Sequence, residues 1–357
     1  MKILMLVNWK VKYCDAKPDD RQPPDYKIEG EDYWFYRYFK KKPEVDVIDI
    51  TSFPLLENFE KNKLHFYIWQ AIKAIPKLNQ YDLVVSHGMP SAVVICLWRK
   101  FFKTKAKHIV FDIGSFASAS ESGFPLKLMQ FASRSLDGLI YHMKSQRTYY
   151  ERFFPWISGI SFFVHYGVDC DYFKDTECVC TSTQYMVCAG RSHSDWETLV
   201  NAYKRLGAHT VELHLIGEIC DQYIGIDGVI QKPYLSTGDY KKEIEGALLC
   251  VLPLDPLKYS FGQMRLLQQM AMGKCVVAAR IPSLVDYATD GENILFYKPG
   301  DTDDCARTLY KALNSRALRK YIEGNAKNHV LNNLNEQNMA QKIEKVYEKV
   351  DNCEGKK

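Results

Sequence analysis

Short runs of β-branched and apolar residues alternate with longer stretches of helical spacing along most of this 357-residue chain. Such alternation is typical of parallel βαβ units, in which helices cover both faces of a parallel sheet. One series of runs occupies residues 3–7, 45–50, 83–86, 108–113, 139–142 and 161–165, and a second occupies residues 185–189, 211–216, 247–252, 275–278 and 294–297. The pattern predicts an α/β protein with two doubly wound, Rossmann-like domains.

The length of the chain agrees with two domains, because a single hydrophobic core usually stops growing at about 250–300 residues. The two series meet near Tyr166, so we predict an N-terminal domain of residues 1–165 and a C-terminal domain of residues 166–334. Within the first domain, residues 62–78 have apolar side chains at helical spacing. Residues 337–350 have the same spacing, which predicts a terminal amphipathic helix.

The composition favours a protein of a reducing compartment. Hydrophobic residues make up 46% of the chain, yet the longest apolar run, residues 92–98, is interrupted at Arg99 and is far shorter than the ~18 residues needed to span a bilayer. The N-terminal residues lack the cleavage site of a signal peptide. Eleven cysteines, an odd number, lie mostly within apolar runs, which is typical of reduced thiols. We therefore expect a cytoplasmic protein.

Charge is distributed unevenly between the two halves. Lys and Arg outnumber Asp and Glu by 24 to 17 in residues 1–165, whereas the acids outnumber the bases by 26 to 23 in residues 166–357. Residues 99–107 contribute much of the basic excess and interleave aromatic side chains with cations. Peripheral contact with an anionic membrane and a solvated helix end both explain this segment. Nucleic acid is not expected as a partner, because no recognition motif accompanies the charge.

Two strand ends of the second domain could hold an anionic ligand, since ligands of open parallel sheets lie outside the carboxyl ends of the strands. Gly190 and Arg191 follow the strand of residues 185–189, and an arginine suits a phosphate geometrically and electrostatically. An ordinary strand-to-helix turn with a solvated arginine is the alternative. The second strand end is followed by Ser260, a good N-cap for a helix reaching Gly273.

The helix after Ser260 has polar residues that its apolar face does not require. Leu266, Leu267 and Met270 are expected to pack on the sheet, whereas Gln263, Arg265 and Gln268 are candidates for ligand contact and, alternatively, ordinary surface polar groups. No acidic pair stands at a strand end of the second domain, since residues 19–20 and 303–304 lie in loop or helix-start contexts. No metal site is therefore predicted.

Taken in order, these stretches resemble the family-4 glycosyltransferases of the GT-B class, in a diverged branch. The resemblance covers most of the chain and is strongest from residue 166 to residue 301. The matching segments are residues 166–169 (Tyr-Gly-Val-Asp) with Phe173, Gly190 and Arg191 with Leu199 and Ala202, residues 215–217, residues 263–277, and residues 286–287, 291–293 and 299–301. Their order and spacing are more specific than any one of them.

The resemblance implies a central cleft between the two domains, with residues 335–357 packing back on the first. It implies transfer of a sugar from a nucleotide-diphosphate-sugar to an unidentified acceptor, such as a glycan or lipid-linked glycan, with retention and without a metal or cofactor. The residues so implied are Arg191, Arg265 and Asp112 as catalytic groups, Gly190, Ser260, Phe261, Gly262, Gln263 and Gln268 at the donor, and His87 and Gly114 on the acceptor side.

The chain also departs from the family pattern. The family usually carries two glutamates that bracket seven residues, and the corresponding positions here are Ser260 and Gln268. A lysine that usually follows the phosphate-binding arginine has no counterpart after Arg191. These departures keep open a binding or partner subunit that does not catalyse. A nucleotide-sugar epimerase or a phosphorylase is a further alternative, disfavoured by the lack of two well-placed carboxylates and by the length of the chain.

Overall fold

The computed structural model describes residues 1–18, 21–114, 116, 121–174, 184–190, 192–207 and 211–352. The strands of the first half are β1 (Lys2–Leu6), β2 (Lys12–Cys14), β3 (Tyr26–Ile28), β4 (Glu44–Ile48), β5 (Leu83–His87), β6 (Lys107–Asp112), β7 (Gly138–Tyr141) and β8 (Ser161–Phe163). Those of the second half are β9 (Gln184–Ala189), β10 (Val211–Ile216), β11 (Val229–Lys232), β12 (Leu249–Leu252), β13 (Val276–Ala279) and β14 (Leu295–Tyr297).

These strands form two six-stranded sheets, one in each half of the chain. The orders are β4-β1-β5-β6-β7-β8 and β11-β10-β9-β12-β13-β14, and every pairing within both sheets is parallel. β2 and β3 form a separate parallel pair. In both large sheets the order reverses beside the first strand of the series, which is where doubly wound sheets leave a crevice for a ligand. The predicted α/β class is confirmed.

The α-helices surround the two sheets. They are α1 (Pro54–Phe59), α2 (Ile68–Ala74), α3 (Met89–Phe101), α4 (Gly123–Ser133), α5 (Gln146–Phe153), α6 (Pro155–Ser158), α7 (Trp196–Arg205), α8 (Thr237–Gly246), α9 (Gln263–Ala271), α10 (Pro282–Val285), α11 (Thr302–Asn314), α12 (Arg316–Asn333) and α13 (Glu336–Asn352). Short 3₁₀ or π turns occupy Trp34–Tyr38, Glu60–Leu64, Ile75–Gln80 and Asp221–Tyr223. The central strands β5 and β12 are buried along their full length, as expected for parallel sheets covered on both faces.

The terminal helix α13 packs against the first sheet. Its residues Met339, Ile343 and Tyr347 share a core cluster with Ile3 and Phe111 of that sheet. The chain thus crosses between the halves twice, once near residue 168 and again near residue 335. The two crossings pair with each other, because the Val168 N–H donates to Leu334 O (3.0 Å) and the Glu336 N–H donates to Val168 O (3.0 Å).

Two details differ from the sequence predictions. The helix predicted for residues 62–78 is broken, since His65 adopts a left-handed conformation with φ 58° and the chain turns into a 3₁₀ helix at Ile75, directly before Pro76. Pro76 has no N–H to continue an α-helix.

Strands β2, β3 and β11 were not predicted. They are short and partly exposed, so they lack the continuous apolar run of the central strands.

Candidate functional site

A cavity of about 220 Å³ opens at the carboxyl edge of the second sheet. It lies where β9 and β10 end and where α9 runs alongside. The residues around it are Gln22, Ala189, Gly190, Ile216, Tyr234, Leu235, Thr237, Tyr240, Arg265 and Gln268. Of the predicted donor-binding residues, Gly190 and Gln268 therefore lie together with Arg265, which was predicted as a catalytic group, although 75 positions separate Gly190 from Arg265. Arg191 lies outside the described residues.

Arg265 holds the backbone of the loop that follows β9. Its Nη1 donates to the carbonyl oxygens of Ala189 (3.0 Å) and Gly190 (2.8 Å) and to Ser194 Oγ (3.2 Å), and its Nη2 donates to Ser192 O (3.1 Å). Gly190 has a φ of 90°, which favours glycine, and a Cβ there would lie 2.9 Å from Arg265 Nη1. Arg265 is consequently a residue that positions the Gly190 loop, in addition to lining the cavity.

Helix α9 begins two residues later than predicted. Ser260 does not cap it; the N-cap is Gly262, whose φ of 86° is left-handed, and the Ser260 hydroxyl instead accepts from Gln263 Nε2 at 2.5 Å. A Cβ on Gly262 would lie 2.3 Å from Leu254 Cδ1. The first helical bond runs from Leu266 N to Gly262 O, so the amides of the preceding three residues have no intrahelical acceptor. An anionic group is favoured at such a helix start.

The loop before α9 contacts the first half of the chain. A Cβ on Gly114, whose φ is 128°, would lie 2.8 Å from Tyr259 Cδ2. The Tyr259 hydroxyl lies 3.1 Å from His193 Nε2, and the His193 ring meets Phe261 edge-on with centroids 4.8 Å apart. Gly114, predicted for the acceptor side, therefore faces the residues around the start of α9 across the cleft.

Asp112 does not have the free carboxylate that a catalytic group requires. It is fully buried; its Oδ1 accepts from the amides of Gly114 (3.0 Å) and Phe116 (3.3 Å), and its Oδ2 accepts from Gln146 Nε2 (3.2 Å) and the Tyr150 hydroxyl (2.5 Å). The catalytic role predicted for Asp112 does not fit this geometry. The carboxylate instead fixes the loop that carries Gly114.

His87 lies at the end of β5 in a row of rings. It meets Trp9 edge-on at 4.6 Å and stacks on Phe111 at 5.9 Å, and Phe111 stacks in turn on His142 at 6.0 Å. His87 Nδ1 lies 3.3 Å from Asn8 Oδ1. Burial lowers the pKa of His87 to about 3, so its imidazole is neutral at pH 7. It can exchange hydrogen bonds with a substrate hydroxyl but carries no charge there.

Several residues of the cleft were missed in the sequence. Tyr259, His193 and Gln22 have no acid–base or ligand-binding motif of their own. The available signal was the position of His193 and Tyr259 in the segments that follow strands β9 and β12 of the second sheet. Among the described residues, no group of three or more His, Cys, Asp or Glu side chains could hold a metal ion. No helix in the described parts of the chain is long and apolar enough to cross a membrane.

The arrangement of the two sheets is shared with known glycosyltransferases. Sucrose-phosphate synthase from Thermosynechococcus elongatus matches with a TM-score of 0.72 and 17% identity, over 98% of this chain and 99% of that chain. Anabaena HepE in complex with UDP matches with a TM-score of 0.68 and 14% identity, over 98% and 100% of the two chains. At these identities the likeness is one of fold, and the chain has the GT-B fold.

The sequence comparisons find glycosyltransferases for part of the chain. Residues 183–315 match the family described as "Glycosyl transferases group 1". An uncharacterized glycosyltransferase of Methanocaldococcus jannaschii is 29% identical over 127 residues, which cover 33% of this chain and 32% of that relative. The match over residues 183–315, together with the shared fold, confirms the predicted resemblance to group 1 glycosyltransferases and the predicted enzyme class.

Proposed function

We propose that the protein transfers a sugar from a nucleotide-diphosphate-sugar to an acceptor hydroxyl. The observation that carries this proposal is the cavity between the end of β9 and helix α9, to which Gly190, Arg265 and Gln268 contribute. Two proteins of the same fold bind nucleotides of this kind, since HepE was solved with UDP and the catalytic domain of Arabidopsis thaliana starch synthase IV with ADP and acarbose. Part of the nucleotide would lie in this cavity, with its diphosphate beside it.

The donor diphosphate would lie between the Gly190 loop and the start of α9. Because α9 begins at Gln263, we assign to the diphosphate the amides of residues 263–265 and the side chain of Arg191, with Arg265 holding the loop. In the reaction, the bond between the sugar C1 and the β-phosphate oxygen breaks and C1 bonds to the acceptor oxygen on the same face. The acceptor proton passes to the departing phosphate oxygen. The assigned amides and arginine stabilise the negative charge that develops on this leaving group.

Retention and independence of a metal belong to the same proposal. This chemistry mainly requires that the reacting groups are positioned and that the leaving phosphate is stabilised. Backbone amides and an arginine side chain supply both without a metal ion. We expect turnover to be unchanged by EDTA. Loss of turnover on chelation that Mg²⁺ or Mn²⁺ restores would contradict the proposal.

The acceptor would enter from the first domain, past Gly114 and His87. We propose a glycan or lipid-linked glycan presented at an anionic membrane. The segment predicted for membrane contact needs one correction: Arg99 is only 11% exposed and pairs with Asp137 at 2.7 Å, so it is not available to a lipid.

The exposed surface nearby combines aromatic rings with lysines. Phe101 and Phe124 are each 74% exposed, Phe131 is 48% exposed, and the Lys100 ammonium lies 5.5 Å from the centre of the Phe131 ring. Exposed aromatics beside cations suit the interface of an anionic bilayer. Co-sedimentation with phosphatidylglycerol vesicles should fall for Phe101→Ser with Phe131→Ser and stay unchanged for Leu55→Ser, an exposed residue of α1. Equal sedimentation of the wild type, the double variant and Leu55→Ser would contradict the proposed membrane contact.

The donor site is tested by thermal-shift titration with UDP, GDP, ADP, CMP and their sugar conjugates. One nucleoside diphosphate should raise the Tm of the wild type, and Arg191→Ala and Arg265→Ala should reduce this shift. Arg205→Ala, which removes an exposed cation paired with Asp303, is the matched control. Loss of one preorganised donor typically lowers turnover about 10²–10³-fold. Binding without transfer or hydrolysis would favour the non-catalytic partner subunit.

A further inference from the structure

Gln22 reaches the donor cavity from the first half of the chain. The described residues around the cavity of about 220 Å³ all belong to the second half, except Gln22. Gln22 also lines a narrow adjoining crevice together with Trp34, Met264 and Gln268. Gln22 and Gln268 are the two described residues that border both spaces.

The backbone around Gln22 is held firmly. Gln22 O accepts from the Asp25 N–H at 2.9 Å, and Asp25 O accepts from the Lys12 N–H at 2.9 Å. Pro24 O accepts from Trp9 Nε1 (3.3 Å) and from the Tyr33 hydroxyl (2.8 Å). The loop is therefore anchored on β2, Trp9 and Tyr33 of the first half of the chain, and these contacts position Gln22.

The side chains of Gln22 and Gln268 have hydrogen-bonding capacity that the protein does not use. Neither amide makes a hydrogen bond to another residue within the described ranges, although Gln268 is 92% buried, with 8% of its surface exposed. An amide offers two N–H donors and one carbonyl acceptor, and both side chains line the cavity, where these groups can meet a ligand. Ligand hydroxyls, which both donate and accept, would satisfy both amides.

We propose that Gln22 is a donor-binding residue supplied by the first domain, and that it binds the ribose hydroxyls of the nucleotide opposite Gln268. This inference rests on the proposed function. Neutral amides suit a polyol, whereas the diphosphate is assigned to the Gly190 loop and the start of α9. A nucleotide bound in this way contacts both domains at once, so donor binding favours the arrangement in which the cleft is closed.

The test compares Gln22→Ala with Glu29→Ala, an exposed residue of the same loop region. The ligands are the nucleoside diphosphate that stabilises the wild type and its 2′,3′-dideoxy analogue, with Kd measured by calorimetry. Gln22→Ala should weaken binding of the ribonucleotide about 3–10-fold, as expected for one lost hydrogen bond. It should leave binding of the dideoxy analogue unchanged, and Glu29→Ala should change neither.

Each outcome bears on a different proposal. Equal affinity of wild type and Gln22→Ala for the ribonucleotide would overturn the role of Gln22 and leave the proposed function intact. A parallel loss for both ligands would also overturn the ribose assignment, because it would locate the effect outside the hydroxyls. Failure of the wild type to bind any nucleoside diphosphate would instead contradict the proposed function. An unchanged Tm of unliganded Gln22→Ala excludes misfolding, and a raised donor KM at unchanged acceptor KM supports the role.

Discussion

Gly114 and Tyr259 meet across the cleft so closely that no side chain fits at position 114: a Cβ there would lie 2.8 Å from Tyr259 Cδ2 and 3.1 Å from its Cβ. Gly114 belongs to the loop after β6, where its N–H donates to the carboxylate of Asp112. Tyr259 precedes helix α9 of the other domain. The contact therefore sets the distance between the loop that carries Gly114 and the start of α9. It also combines two separable effects, a left-handed φ and a steric approach.

Gly114→Ala should destabilise the fold by about 1–3 kcal/mol through its backbone conformation alone and should reduce turnover further by displacing Tyr259. Tyr259→Ala in the same chain should recover the part of the steric effect that comes from the ring, because alanine keeps the Cβ at 3.1 Å. It should not recover the backbone part, and a double-mutant cycle measures the coupling. Gly159→Ala is the control, because nothing lies within 4 Å of its added Cβ. Additive effects of the two substitutions would contradict the contact.

Tyr287 joins the two domains through its hydroxyl. The oxygen accepts from the Tyr166 N–H at 2.9 Å, and the hydroxyl donates to His142 O at 2.8 Å. Tyr287→Phe leaves a buried N–H and a buried carbonyl unpaired, and we expect it to lower the free energy of unfolding by about 1–3 kcal/mol. Urea denaturation measures this, with the exposed Tyr310→Phe as control. Equal midpoints for both variants would show that the bridge contributes nothing.

Glu336 should make stability fall as the pH rises. Its carboxylate pairs with Arg37 at 2.8 Å and accepts from Trp34 Nε1 at 3.0 Å, while Asp169 shares the same arginine. Burial raises the pKa of Glu336 to about 7. The native state then binds a proton that the unfolded state has already lost, so stability decreases between about pH 4.5 and pH 7.

Glu336→Gln removes this ionisation and leaves Asp169 to pair with Arg37. We expect the variant to gain up to about 3 kcal/mol relative to the wild type on going from pH 4.5 to pH 7.5, since one pKa unit corresponds to 1.36 kcal/mol. Denaturant unfolding at a series of pH values gives the difference directly. A difference that does not vary with pH would rule out the raised pKa.

Buried histidines should act in the opposite direction at acidic pH. Burial lowers the pKa of His108 to about 3 and that of His142 to about 4. Below pH 6.5 the unfolded state takes up protons that the native state does not, so each histidine reduces stability by up to ~1.4 kcal/mol per pH unit. His108→Gln should flatten the slope of stability between pH 5 and 6.5 by that amount. A variant with the wild-type slope would exclude His108 as a contributor.

The fold was predictable because its signals are local. Eleven of the twelve strands of the two large sheets follow from short apolar runs, and helix α13 follows from spacing within residues 337–350. The missing strand, β11, lies at a sheet edge with half-exposed polar residues, where the apolar pattern fades. The helix break at His65 was missed because a single left-handed residue leaves no periodic trace.

In the candidate site, too, the sequence predicted the local features and not the contacts between distant residues. The sequence by itself determined which segments follow the strands of the second sheet, so Gly190, Arg265 and Gln268 could be selected without coordinates. Only the tertiary structure decided what the side chains do. Arg265 donates to the backbone carbonyls of Ala189 and Gly190, and the carboxylate of Asp112 accepts from four donors. Gln22 faces the other domain. Those outcomes depend on residues distant in the chain, whose approach is set by packing of the two sheets and not by any local pattern.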